Sequence, residues 1–562
     1  MGPRGLTPKP NSRWGCNLVL LGATCARAHD DTFPWVGGVS AASWSCVGLP
    51  SSRMKNDGHD PALPKLGHRS AVAFSWGLLA TVAKVLLTLV VQAVLARLLG
   101  PHEFGLFALG VLIMAVAGYF ADVGLATSLV QKHAVNDGDI RFVLTLNLVT
   151  AVSVAILVVT LAGPLAQAFG KPEVKEIFQG LAPVFVLNAL ASVSTSLLRR
   201  RLDYRSIQLA NLVGYAFGFG VVGIAVAALV GSVYALVAAY LCQAAVTLVL
   251  LYGKTRHPIG LGLRADDRRA LMGFGANILT TNLVNWAVGS LDRLLVGRLF
   301  STATLGHYSA AYNLVYAPVG ALYSNLQSTV FSSMARMQDD TRRLQNAYLA
   351  LLQAVSVVFL PIFAGLYFFS GTLVMVVYGA QWGQAASLAG PFCLMAPFLL
   401  VWACSTPVLW NTGRRSLEWK LQLPFIVLVI LAIVPAAGVS VLAVAWVAAL
   451  AFMARTLMMV VLAFSALRVD ARQAWVAAWP SLWISVAVGA TSMACARLLQ
   501  DIGLVPAAQL LLGSSLIGGT LLGCLLLVPS ALPLTARRFI GQLQVGAPGW
   551  LKPLLNRLNG ET

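Results

Sequence analysis

The sequence predicts an all-α polytopic membrane protein. About 14 transmembrane helices are expected, as two parallel-related six-helix lobes followed by two C-terminal helices. Three observations carry this: composition, a regular alternation of apolar runs with basic loops, and an internal repeat. Of 562 residues, 58% are hydrophobic and only 10% are charged, against about 25% charged in soluble domains. Mean hydropathy is +0.78. So little polar side chain cannot cover a soluble globule, which excludes a cytosolic enzyme, a secreted disulfide scaffold and a disordered chain. The formal charge of +19 does not point to nucleic acid, because the basic residues fall in short loops between apolar runs, as positive-inside retention requires. The eight cysteines include neither Cys-x-x-Cys nor a His-paired spacing, so no metal or redox centre is expected.

Residues 1–70 form an N-terminal tail, expected to be disordered or upstream of the native start. Asn17–Ala28 weakly imitates a signal peptide, but Met54 opens a polar cap just before the first span and suits a later start. From Ala71 onward, helices are expected at 71–98, 104–128, 142–163, 178–198, 207–230, 232–252, 273–297, 305–331, 347–369, 386–410, 417–435, 438–464, 474–496 and 504–528. Helices two, seven and eight are the most diluted by polar residues. Sheet-like alternation is absent, and a helix satisfies its own backbone in lipid, so a helical bundle follows. Residues 531–562 are too polar to span. Phe539, Trp550 and Leu554 beside Arg537, Arg538 and Lys552 suggest a cytoplasmic interfacial tail.

Loops after even-numbered helices, with the helix ends that border them, hold 19 Lys and Arg; those after odd-numbered helices hold 5. This asymmetry places the even loops and both termini in the cytoplasm. One miscounted helix would scramble the alternation. The repeat pairs Arg97-Leu98-Leu99 and Phe104–Ala108 with Arg298-Leu299-Phe300 and Leu305–Ser309, at a constant offset of 201 residues. Helix one then matches helix seven, giving an N-lobe at 71–257 and a C-lobe at 258–466, with helices 13 and 14 at 467–530. Six helices per repeat keep both lobes in one orientation, the layout of alternating-access transporters with a cleft between lobes.

Residues 95–131 (LARLLGPHEFGLFALGVLIMAVAGYFADVGLATSLVQ), 197–204 (LLRRRLDY), 291–315 (LDRLLVGRLFSTATLGHYSAAYNLV) and 330–349 (VFSSMARMQDDTRRLQNAYL) resemble blocks of the Wzx-type polysaccharide exporters, of the colanic-acid kind, in the multidrug/oligosaccharidyl-lipid/polysaccharide superfamily. The resemblance runs through about 70–464 and fades over the last two helices; the tail 1–53 departs from it. It implies a flippase of the bacterial inner membrane, moving undecaprenyl-pyrophosphate-linked oligosaccharide units for exopolysaccharide or lipopolysaccharide biosynthesis. Expected partners are that lipid-linked oligosaccharide, membrane lipids, and a polysaccharide polymerase with its chain-length machinery.

Ionisable groups in a bilayer normally face a bundle interior or an aqueous cavity. Lys84, Arg293 and Arg455 are the candidate cations for a pyrophosphate; Arg455 also suits a structural pair or snorkelling. Asp122 and Asp292 are candidate carboxylates for coupling to H+ or Na+, with Asp292-Arg293 alternatively a neutralised neighbouring pair. Polar residues gather in helices seven and eight. Asn282, Asn285, Tyr308 and Asn313 are the expected glycan wall, although interhelical hydrogen bonding uses the same residue types. No cofactor is expected. Neither GxxxxGK[ST] nor Gly-x-Ser-x-Gly is present, so a transporter rather than an enzyme is expected. The alternatives on the same bundle are a cation-coupled multidrug exporter and a lipid II flippase. Three cations against two acids favour an anionic substrate.

Overall fold

The computed structural model describes residues 83–533 apart from 122–125, 127–128, 131, 133–134, 202, 263–274, 336 and 338–339, together with 537, 553, 557 and 558. The tail 1–70, Asp122, and Phe539, Trp550 and Leu554 lie outside these residues.

Each of the fourteen expected helices has a counterpart. They are α1 (described over 83–98), α2 (Pro101–Ala121), α3 (Asp137–Phe169), α4 (Val174–Arg200), α5 (Tyr204–Val230), α6 (Tyr234–Thr255) and α7 (Gly275–Leu299). Then follow α8 (Thr302–Ala335), α9 (Thr341–Tyr378), α10 (Gly383–Asn411), α11 (Arg415–Ala437), α12 (Val441–Leu467), α13 (Ala471–Asp501) and α14 (Pro506–Leu527). Eleven of them, α2–α6 and α9–α14, are long and apolar enough to cross a membrane. The chain is a multi-pass membrane protein.

Several helices run past their apolar stretches because polar caps extend them. Asn136 and Asp139 form a reciprocal capping box at α3, through Asp139 N–H to Asn136 Oδ1 (2.8 Å) and Asn136 N–H to Asp139 Oδ2 (3.1 Å). Buried Asp139 also receives Lys132 Nζ at 2.8 Å. Asp340 caps α9 and Ser440 caps α12 by a single bond each, accepting from Arg343 N–H (3.0 Å) and Ala443 N–H (3.1 Å). Within α5, residues Ala216–Gly223 open into a π-helical stretch. There Gly218 approaches α6 so closely that a Cβ would lie 2.5 Å from the Ala239 carbonyl oxygen.

In the first half, α4 packs on α3 and α6, and α6 on α5. In the second, α10 packs on α8, α9 and α12, while α11 packs on α7 and α12. Helices α13 and α14 pack on α9. The two groups meet chiefly through α2, which lies against both α7 and α8. Helix α10 is buried from Leu388 through Leu409 with few breaks, as a helix apolar on every side must be.

Candidate functional site

Asp292 and Arg293 are neighbours on α7 and project to different partners, as adjacent helical residues must. Asp292 Oδ2 accepts a 2.8 Å hydrogen bond from the hydroxyl of Tyr308 on α8. Tyr308 is fully buried, and its ring meets Phe392 of α10 edge-on at 5.1 Å. Among the described residues no ion pair joins Asp292 to Arg293. Instead Arg293 Nη2 donates to the Gly289 carbonyl (2.9 Å) and the Ser290 hydroxyl (3.2 Å). Its guanidinium lies 4.4 Å above the Tyr312 ring.

Tyr312 in turn stacks on Tyr316 at 5.0 Å and 17° and meets Phe392 edge-on at 5.5 Å. Tyr308, Tyr312 and Tyr316 recur every four residues, so one face of α8 carries all three rings. Beside this stack is a cavity of about 20 Å³, bordered by Tyr312, Tyr316, Phe392 and Phe452. It has room for about one water. Arg293 Nε is buried without a hydrogen-bond partner. A desolvated guanidinium on an aromatic ring gains about 2 kcal/mol, yet a buried unsatisfied donor costs about 1–3 kcal/mol. Stacking and the two bonds within α7 hold the group, with donor capacity to spare.

Arg455 on α12 occupies a separate, enclosed position at 5% exposure. Its guanidinium stacks 4.0 Å over Trp402 of α10, and Nη2 donates to Gln422 Oε1 of α11 at 3.2 Å. Glu418, close enough to act on that charge, accepts from Trp410 Nε1 at 2.7 Å. Lys84 lies on the exposed surface of α1, its carbonyl accepting from the Thr88 hydroxyl at 2.8 Å. No hydrogen bond or ion pair among the described residues links Lys84, Arg293 and Arg455. Asn285 is exposed and Asn313 half-buried. Asn282 falls in 275–282, whose side chains are outside the described ones. The Tyr312–Phe392 contact and the Trp402, Gln422 and Glu418 shell of Arg455 escaped sequence reading. The four-residue tyrosine spacing was the one available signal.

The family model described as polysaccharide biosynthesis protein matches residues 94–387, more than half of the chain. The chain belongs to that family. Among its relatives is the lipopolysaccharide biosynthesis protein WzxC of Escherichia coli, 25% identical over 57% of this chain and 65% of WzxC. The succinoglycan biosynthesis transport protein ExoT of Rhizobium meliloti is 24% identical over 61% of this chain and 69% of ExoT. The match thus spans about two thirds of either relative's length. Two solved structures share the fold. A lipid II flippase MurJ in an inward closed conformation has a TM-score of 0.61 at 13% identity, covering 79% of this chain and 97% of its own. An inward-facing multidrug resistance transporter of the MATE family has a TM-score of 0.53 at 16% identity, covering 69% and 96%.

Proposed function

We propose that this protein is a flippase that carries undecaprenyl-pyrophosphate-linked oligosaccharide units across the bacterial inner membrane by alternating access, for exopolysaccharide or lipopolysaccharide biosynthesis. The observation that carries the reading is Arg293: a half-buried guanidinium in a membrane helix, resting on a tyrosine stack, with a donor left unsatisfied. A guanidinium with spare donors suits a phosphate oxygen, and flat tyrosine rings suit a sugar face. Exposed Lys84 supplies a second cation on the repeat-equivalent helix of the other half. Asn285 and Asn313 are candidates for glycan contacts, and Asp292 for coupling to H+ or Na+. Tyr308 serves Asp292 with its hydroxyl and so orients the carboxylate. Arg455, enclosed by Trp402 and Gln422, would join the site only if α11 and α12 rearranged.

Relatives named for lipopolysaccharide biosynthesis and for succinoglycan biosynthesis transport support the glycan class. A cation-coupled multidrug exporter needs a carboxylate for an organic cation. Here Asp292 is engaged by Tyr308 and Glu418 by Trp410, which favours an anionic cargo. The proposal includes the sidedness of the loop charges, with both termini cytoplasmic, and work alongside a polymerase and chain-length machinery. Complementation of an exporter deletion tests it. Restored surface polysaccharide, with loss of the accumulated lipid-linked glycan, is expected; a strain that keeps accumulating that glycan would count against it.

A further inference from the structure

The repeat offset of 201 residues reappears as a contact. Where α2 crosses α8, a Cβ on Gly105 would lie 1.8 Å from the Thr302 carbonyl oxygen, and one on Gly306 1.8 Å from the Pro101 carbonyl oxygen. Both 306 − 105 and 302 − 101 equal 201. The two helices therefore meet backbone to backbone about a pseudo-two-fold axis, at glycines that only a missing side chain permits.

A second pair of contacts obeys the same offset. Helix C-terminal carbonyls lack intrahelical donors and carry partial negative charge. The Ala96 carbonyl near the end of α1 accepts from Gln381 Nε2 (2.7 Å) and Trp382 Nε1 (3.0 Å) of the second half. Its repeat mate, the Gly297 carbonyl of α7, accepts from Lys171 Nζ of the first half, which also reaches the Phe300 carbonyl at 2.8 Å. Each half thus grips the equivalent helix end of the other. Arg97 adds bonds to the Val376 (2.6 Å) and Val377 (3.2 Å) carbonyls.

The two arms differ in kind. Trp382 is fully buried and pinned by Phe104 (5.3 Å), His307 (5.4 Å) and Tyr378 (5.4 Å). Lys171 is a flexible ammonium at the edge of a cavity of about 450 Å³, with Arg298, His102 and Glu173 around it. Burial, and then the nearby Arg298 charge, hold its ammonium below the usual lysine range. Desolvation and like charge therefore offset part of what its two carbonyl bonds contribute, which makes this the weaker arm.

We propose that these contacts form a latch closing the outer end of the protein, in which Trp382 is the fixed arm and Lys171 the arm whose release opens it. All four participating loops, α1–α2, α3–α4, α7–α8 and α9–α10, are odd-numbered, so the word outer rests on the sidedness proposed above. Lys171 is a positioning residue: it holds a state and need not touch cargo.

The test places a cysteine at buried Ser309, one turn inside Gly306 on α8. Its labelling by a membrane-impermeant maleimide is followed by peptide mass spectrometry, in right-side-out and inside-out vesicles. Lys171→Met is expected to raise labelling from the outside by about tenfold, and Lys171→Arg to stay near the parent, which a general folding defect would not give. Arg298→Ala, on an exposed residue, relieves like-charge repulsion and is expected to slow labelling. Increased labelling confined to inside-out vesicles would support the latch and overturn the sidedness. Outside and inside labelling unchanged by both Lys171→Met and Arg298→Ala would overturn the latch.

Discussion

Arg293 concentrates the functional argument at the scale of a residue. Its guanidinium is held by the Tyr312 ring and two short bonds within α7, so removing it leaves no buried counter-charge unpaired. Arg293→Ala is therefore expected to lower export about tenfold or more at unchanged protein level. Arg293→Lys should restore only part, since an ammonium lacks the planar fork. Export measured against membrane abundance separates these outcomes from misfolding. Arg455→Ala should behave oppositely. It empties an enclosed site between Trp402 and Gln422, with an expected stability loss of about 2–4 kcal/mol, read as a lowered Tm. His257 gives a pH test outside the spans. Its Nδ1 faces the Pro258 carbonyl (3.3 Å) and Nε2 the Ser194 hydroxyl (3.2 Å), which also takes a bond from Thr255 (3.0 Å). The set is satisfied when His257 is neutral with its proton on Nδ1. Burial holds its folded pKa below the ordinary histidine value. The associated stability is thus present above about pH 6.5 and is lost as pH falls from there through the folded value. A Tm that drops between pH 7 and 5, and drops less in His257→Gln, is expected.

Among elements, glycine contacts are the most exposed to substitution. At Gly105 the obstacle is a backbone carbonyl, which no rotamer change can move aside. Gly105→Ala should force α2 from α8, lower stability by about 1–3 kcal/mol, and raise outside labelling at position 309. Denaturation of the purified variant beside the parent checks the first part. Helix existence was legible because apolar runs of membrane length leave little choice. Helix ends were less so: Asn136 and Asp139 carry α3 five residues beyond its expected start, a local bond pattern that hydropathy does not register. The π stretch of α5 was invisible, being a backbone adjustment to close packing on α6. Tyr308 reads in sequence as part of a polar glycan wall. Full enclosure and the bond to Asp292 distinguish Tyr308 from the Tyr312–Tyr316 stack under Arg293. Enclosure of Arg455 was likewise unreadable, because Trp402 and Gln422 come from two other helices.

For the whole molecule, the repeat seen in a handful of residues recurs as paired contacts: Gly105 meets Thr302 and Gly306 meets Pro101, while the Ala96 and Gly297 carbonyls each accept from the opposite half. Reporter fusions at Arg201, Arg268 and Arg342 are expected to report cytoplasm, and at Lys171 and Gly379 periplasm; a reversed signal at any site would break the alternation. The central claim is movement of a pyrophosphate-linked glycan past Arg293. The most direct measurement uses proteoliposomes holding a fluorescent polyprenyl-pyrophosphate-linked oligosaccharide in one leaflet, scored by its appearance to a membrane-impermeant quencher on the other side. The parent protein should speed that appearance well above protein-free vesicles, and Arg293→Ala should return it close to the protein-free rate. Equal rates with parent protein and without it, under an imposed H+ or Na+ gradient, would contradict the account.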